Sequence, residues 1–337
     1  IAINLTIMGQ IFHQILPDAP VLPNIVLAPM SGITDRPFRR AVRRAGGGLV
    51  VSEMIASHAV LSEIAPEMEK MRFSSAEEAP LSIQLAGHDP AMMAEAAKMA
   101  EQLGASMIDI NLGCPAKKVT GRQAGSALMA EPERAGQIFS AVRQAVRCPV
   151  SVKMRLGVDE HHLNAAEIAS IAEQAGLCLI TIHARTRAQM YKGAARWQLA
   201  ADAIAAVKIP VLINGDISSA DDAKQALSAS GASGIMIGRA AQGQTWLLKA
   251  IEADMTGDTD FRLPDGALRH EYIVTHLDEM MTQYGNRGVK LARKHMASYC
   301  DYLPDSEQLR GLLLQADSPH LVFAALHEYF STVDVAA

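Results

Sequence analysis

Cysteine is scarce and scattered in this chain: Cys114, Cys148, Cys178 and Cys300 stand 30 or more residues apart. No CxxC pair and no zinc-binding spacing can be formed from them, and a chain of 337 residues needs no disulfide staple, so a reducing cytoplasm is the expected location. Long apolar runs are missing too. Nothing approaches the roughly 18 uninterrupted residues that cross a bilayer, so no membrane association is expected. The apolar-leaning stretch 1–17 holds no Lys or Arg and is broken by Asn4, Gln10 and His13, which makes it a poor signal peptide. There is no excess of positive charge: 31 Lys and Arg stand against 36 Asp and Glu, a formal charge of −5. That excludes a uniformly cationic nucleic-acid binder and leaves room for a local basic surface. Also absent are a GxGxxG, a P-loop, an HExxH, a GxSxG elbow and any Cys–His protease signature.

What is present is apolar substance, 49% of residues, enough for a sizeable core. Much of it lies in eight short runs at 25–28, 49–51, 81–85, 107–110, 150–154, 179–182, 211–213 and 235–237. Such runs suit parallel strands buried on both faces. Helix punctuation lies between several of them. Asp89 and Pro90 start a helix with Met92, Ala96, Met99 and Leu103 on one face and Gly104 at its end. Asn164 and Glu167 resemble a capping box closed by Gly176, and Ser219 with Asp221 and Asp222 opens an element that Gly231 ends. Eight strand–helix units argue for a (β/α)8 TIM barrel over an open Rossmann sheet, which would want a glycine fingerprint after its first strand. Past the barrel the stretch 252–264 reads as a linker, and helical patterns near 270–284, 289–303, 307–316 and 320–330 predict a small C-terminal helical domain over 265–337. The barrel is expected over 24–251, after an N-terminal extension over 1–23.

In a barrel, chemistry gathers where strands end at their C-terminal side. Those positions here are Pro29 and Met30, Glu53, Gln84, Asn111 through Cys114, Lys153 and Arg155, His183 and Arg185, Asn214 through Asp216, and Gly238 with Arg239. The last two loops have the make-up of a phosphate site: Gly215 and Gly238 allow close backbone approach, and Arg239 offers a fork for phosphate oxygens. Lys153 points toward the barrel axis by strand alternation, where with Gln84 and His183 it would surround one planar ligand. It could equally form a Schiff base, or pair with Glu53. Cys114 is the sharpest single feature. A thiol with a reference pKa of about 8.5 is mostly protonated at neutral pH and can serve as a general acid, or as a nucleophile beside a cation. Cys148, Cys178 and Cys300 read as small buried hydrophobes.

Charge placement adds a clue. Between 110 and 130 stand Lys117, Lys118 and Arg122 with no acid, and between 184 and 201 stand Arg185, Arg187, Lys192 and Arg196 with none. Arg287, Lys290, Arg293, Lys294 and His295 make a further cluster in the helical region. Cations gathered round one mouth of a net-acidic chain suit a polyanion larger than a cofactor. Arg36, Arg39, Arg40, Arg43 and Arg44 recur at helical spacing behind Phe38, Ala41, Val42 and Ala45, and are expected as an ordinary solvated face.

The strings Ala28-Pro29-Met30-Ser31-Gly32-Ile33-Thr34-Asp35, Asn111-Leu112-Gly113-Cys114-Pro115-Ala116-Lys117-Lys118, Gly125-Ser126-Ala127-Leu128, His183-Ala184-Arg185-Thr186-Arg187, Asn214-Gly215-Asp216-Ile217 and Gly238-Arg239-Ala240-Ala241-Gln242-Gly243 resemble the tRNA-dihydrouridine synthases, most closely the bacterial group B type. The resemblance runs from about 24 to 330. It implies a barrel with tightly bound FMN, NADPH as reductant and a helical domain gripping tRNA, with no metal and no obligate protein partner. It would place Pro29, Met30 and Ser31 along the flavin, Gln84, Lys153 and His183 at its ring, and Asn214, Gly215, Asp216, Gly238 and Arg239 at its phosphate. Asn111 and Arg155 would lie near the uracil, and Lys117, Lys118, Arg122, Arg185, Arg187, Arg287, Lys290, Arg293 and Lys294 would meet the RNA. Hydride would pass from flavin N5 to uracil C6, and Cys114 would protonate C5. Two other readings of the same residues are a Schiff-base lyase acting through Lys153 on a phosphorylated metabolite and a non-catalytic RNA-binding barrel.

Overall fold

The computed structural model describes residues 10–73, 75–116, 119 and 123–332. Lys117, Lys118 and Arg122 therefore lie outside the described residues. Nine parallel strands are seen: β1 (Ile25–Leu27), β2 (Val50–Val51), β3 (Ile55–Ala56), β4 (Leu81–Ala86), β5 (Met107–Leu112), β6 (Val150–Arg155), β7 (Leu179–His183), β8 (Val211–Asn214) and β9 (Gly234–Ile237). They run in the order β2-β1-β9-β8-β7-β6-β5-β4-β3, and a further β2–β4 pairing closes the ring. β2 pairs with the start of β4 (Val50 opposite Leu81) and β3 with its end (Ile55 opposite Leu85). The two short pieces share one place, interrupted at Ser52, Glu53 and Met54, so the ring has eight places. This is a (β/α)8 barrel with a helical C-terminal region. Each of the eight apolar runs overlaps a strand; β3 alone carries no apolar run of its own.

Strand alternation divides the side chains into two sets. Outward residues such as Ile108, Ile110, Val150, Val152, Ile180, Ile182, Ile235 and Ile237 pack with the surrounding helices in one large core. Inward residues start apolar and end polar. Val26, Val51, Met107, Leu179, Leu212 and Met236 form a second cluster that Ile11, Phe12, Leu16 and Leu22 complete. The N-terminal segment, with its helix Gln10–Ile15, thus plugs the N-terminal end of the barrel. Farther along the same inner faces come Gln84, Asp109, Asn111, Ser151, Lys153, Arg155, Thr181, His183 and Asn214.

Helix starts follow the capping chemistry. Asp89 accepts from the Met92 N–H, Ser219 from that of Asp222 and Asp35 from that of Phe38. Gly231 ends its helix at φ 75°. Two expectations need correction. Asn164 caps nothing with its side chain, because its Nδ2 donates to the Met129 carbonyl instead. On the helix Pro90–Gln102 the buried set is Met93, Ala96, Ala97 and Ala100, while Met92 and Leu103 are exposed, so the inner face is turned from the expected one.

The helix Leu247–Thr256 runs into the stretch expected as a linker. Beyond it, helices Gly266–Tyr284, Gly288–Cys300, Glu307–Gln315 and Pro319–Thr332 enclose their own core of Ile273, Leu277, Met280, Met296, Leu313, Val322 and Leu326 among others. This bundle sits on the helix Arg36–Arg44, whose arginines are not a solvated face. Arg39 is buried and pairs with the equally buried Glu78 at 2.5 Å. Arg40 and Arg44 reach Glu279 of the bundle, and Arg36 bonds Gln283 at 2.9 Å. Phe38 lies against the rings of His276 and His295, at 5.5 and 5.3 Å between centroids. Tyr284 donates to Asp35 at 2.9 Å. The arginine spacing marks the seam between barrel and bundle.

Candidate active site

The polar ends of the inner strand faces converge at the C-terminal mouth of the barrel. Asn214 organises one side. Its Nδ2 donates to the Met236 carbonyl at 2.7 Å, which turns Oδ1 toward Lys153 Nζ at 3.1 Å and His183 Nδ1 at 2.7 Å. An amide oxygen only accepts, so His183 carries its proton on Nδ1 and leaves Nε2 as an acceptor. Burial, with Lys153 and Arg155 nearby, holds the His183 pKa well below its ordinary value, so the ring is neutral. Burial also lowers Lys153, to about 8, with Arg155 adding to the shift. Lys153 forms no ion pair with Glu53 among the described residues; Glu53 accepts from the Gly32 N–H instead.

Cys114 follows β5 and is half-buried. Its N–H donates to Asn111 Oδ1 at 3.0 Å, and its carbonyl accepts from the N–H and Oγ of Ser126, each at 3.0 Å. The peptide is clamped on both sides, and the Cys114 side chain is an electrostatic neighbour of Lys153 and Arg155. The other thiols have no such setting: burial pushes Cys148 and Cys178 up to about 12 and Cys300 to about 11.

The loops after β8 and β9 lie side by side. Gly215 has φ +122°, and a side chain there would strike Ala195 at 2.9 Å and approach the His183 ring at 3.5 Å. A Cβ on Gly238 would meet Ala28 and the Met30 sulfur at 3.6 and 3.7 Å, which brings the loop of Pro29, Met30 and Ser31 against that of Arg239. The Asp216 carboxylate pairs with Arg185 at 2.5 Å and Arg239 at 3.3 Å. Asp216 therefore orients cations with its side chain, and only its main chain is free to meet an anion.

Residues 26–332 match the family described as Dihydrouridine synthase (Dus). The chain belongs to that family. It is 47% identical over 315 residues to the probable tRNA-dihydrouridine synthase of Rhodobacter capsulatus, covering 93% of this chain and 97% of the relative. To tRNA-dihydrouridine synthase B of Xanthomonas axonopodis it is 40% identical over 314 residues, 93% and 94% of the two chains. Among solved structures, histamine dehydrogenase from Rhizobium sp. 4-9 is similar with a TM-score of 0.52 at 15% identity, over 80% of this chain and 50% of that one. That likeness shows the barrel fold.

Within this family member, the expected RNA-facing cations divide into two sets. Arg185 is buried and spent on Asp216 and the Gly193 carbonyl, at 2.5 and 2.6 Å. Arg155 is also buried. It ties loops together through the carbonyls of Gly113, Thr186 and Met190 at 2.6, 2.9 and 2.7 Å. Arg196 pairs with Glu160. Arg293 turns aside to the Ala316 carbonyl. Asn111 has given its oxygen to the Gly113 and Cys114 amides and a proton to Gln84. Arg287, Lys290 and Lys294 are exposed at i, i+3 and i+7 spacing, on one face, and Arg187 is half-buried. Lys294 Nζ stands 3.4 Å from where a Gly32 Cβ would be, so this cluster reaches the mouth.

One residue at the mouth had no sequence signal. Tyr191 is exposed, with the guanidinium carbons of Arg155 and Arg239 at 5.5 and 5.9 Å from its ring centre. Period-two alternation could have singled out Asp109 and Ser151 beside Asn111 and Lys153.

Proposed function

We propose that this chain reduces the C5=C6 bond of a uridine in tRNA to 5,6-dihydrouridine, with FMN as resident cofactor and NADPH as reductant. The observation that carries the reading is Cys114 at the barrel mouth, its peptide clamped on both sides and its thiol within electrostatic reach of Lys153, in a member of the dihydrouridine synthase family.

The residues present fit a flavin. Pro29, Met30, Ser31, Gln84, Lys153 and His183 would hold its ring. Asn214, Gly215, the Asp216 main chain, Gly238 and Arg239 would hold its phosphate, in a cradle that side chains at Gly215 and Gly238 would fill. When bound there, reduced FMN would supply the hydride for uracil C6.

The protein's own groups supply the rest. Cys114 gives its thiol proton to C5 as the adjacent carbon takes the hydride, and recovers it from water. Lys153, with a pKa of about 8, is mainly a cation at neutral pH and stabilises negative charge in a water-poor site. His183 is neutral and adds no second full charge beside it. Arg287, Lys290 and Lys294 hold phosphates, which positions the RNA without reading bases. The target uridine must leave the folded RNA to enter the mouth.

The test is dihydrouridine mapping of tRNA from a strain lacking the gene, with and without its return. Loss of one site on deletion and its recovery on return supports the proposal. An unchanged map overturns it, and borohydride trapping of a substrate on Lys153 would put a Schiff-base lyase in its place.

A further inference from the structure

Asp109 lies inside the barrel, 3% exposed, and has no place in the chemistry described above. Its two oxygens accept from Ser151 Oγ at 2.6 Å and Gln84 Nε2 at 2.7 Å. Strand register sets Gln84 and Ser151 on either side of it. The chain of bonds continues. Asn111 Nδ2 donates to Gln84 Oε1 at 2.7 Å, and Asn111 Oδ1 accepts the N–H groups of Gly113 and Cys114 at 3.1 and 3.0 Å.

The direction of this chain is dictated from both ends. The two loop N–H groups can only donate, so Asn111 must show them its oxygen and turn its nitrogen to Gln84. Gln84 must then offer oxygen to Asn111 and nitrogen to Asp109, which must accept. A side-chain amide has nearly the same shape either way round, so packing alone does not choose. A reversed chain would set the Asn111 NH2 against two backbone donors and lose both bonds that shape the Cys114 loop.

We infer that Asp109 is a positioning residue for Cys114: its acceptor oxygen fixes the direction of the Gln84–Asn111 chain and so the loop that carries the thiol. The thiol's role in this inference rests on the proposed function; the chain's direction does not. An acceptor is what Asp109 must supply, and a full charge is not required. A proton or an amide nitrogen on the Ser151 side would still be satisfied, because a hydroxyl can accept as well as donate.

The test exchanges the two ends of the chain. Asn111→Asp sets a second carboxylate against Gln84, which cannot donate to both neighbours through its one nitrogen. Adding Asp109→Asn restores a complete chain with the Gln84 amide reversed. The carboxylate now at position 111 accepts from the loop and from Gln84, and the amide now at position 109 donates to Gln84 while accepting from Ser151. The readout is the rate at which iodoacetamide alkylates Cys114 in the purified full chain, followed peptide by peptide. We expect Asn111→Asp to change that rate by about tenfold, the scale of one lost buried hydrogen bond. The double variant and Asp109→Asn alone should lie within about threefold of the parent. A double variant no better than Asn111→Asp overturns the inference, as does an Asn111→Asp variant indistinguishable from the parent. If the single variant does not fold, recovery of folding and of the parent rate in the double variant supports the inference, and failure of both overturns it. Alkylation needs no tRNA, so a parent protein that makes no dihydrouridine would sink the proposed function and leave this result standing.

Discussion

Lys153 Nζ on β6 stands 3.1 Å from Asn214 Oδ1 on β8, so a cation and an amide are joined across the intervening strand. That bond anchors the ammonium group on the inner wall of the mouth, in surroundings that lower its pKa to about 8. The cationic form prevails below that value and is lost as pH rises through it. Dihydrouridine formation should therefore fall above about pH 8. In Lys153→Gln the whole profile should drop by about 100-fold and lose its alkaline limb. Initial rates from pH 6 to 9.5 decide it, since a limb kept in Lys153→Gln would belong to another group.

Replacing Cys114 with Ala removes one proton donor and no ligand of the cofactor. The purified variant should stay yellow, with its flavin absorbance intact, and lose about 100-fold or more in dihydrouridine formation. Full activity would remove the acid role from this residue.

Arg239 is held toward the mouth by Asp216 at 3.3 Å. Removing its charge-assisted contacts in Arg239→Ala should weaken FMN binding by about 10- to 100-fold, measured by fluorescence titration. Asp216→Asn loosens the orientation without removing the cation and should give a smaller effect. Equal FMN affinity in Arg239→Ala and the parent would move the phosphate elsewhere.

Asp35 caps the helix Arg36–Arg44 and accepts from Tyr284. Burial raises its pKa to about 6, and Glu53 adds to the shift. The folded protein thus holds this proton more tightly than the unfolded chain. This group's contribution is most favourable below the unfolded value near 4, declines as pH rises, and its penalty is complete above about 6. The full swing is about 3 kcal/mol. Asp35→Asn keeps a capping side chain and abolishes the swing. Urea melts of parent and variant at pH 4.5 and 7.5 should show the variant gaining relative to the parent at the higher pH; a constant difference would show that Asp35 does not titrate there.

Much of the barrel could be read from the chain because every strand except β3 overlaps an apolar run, and most of those runs lead into a polar residue. Lys153, His183 and Asn214 stand out for the same reason. What stayed hidden needed neighbours that are distant in sequence. The loop from Ala184 to Ala201 has no acid of its own, yet Arg185 and Arg196 are neutralised by Asp216 and Glu160 from adjacent strand ends. Nothing local marks Arg39 as buried until Glu78, distant in sequence, pairs with it. Met92 and Met93 compete for one helix face, and a rotation too small for spacing to resolve decides between them. β3 is two residues long and owes its existence to the end of β4.

The helix Arg36–Arg44 gives one short rod two owners. Its leading residue Asp35 is tied to Tyr284, its flank to Glu279 and Gln283, and the loop entering it carries Met30 and Ser31. Phosphates seated on Arg287, Lys290 and Lys294 would consequently stand at a set span from the mouth. A nucleotide would then be chosen as a gauge chooses a part, by how far it lies from where the RNA is held.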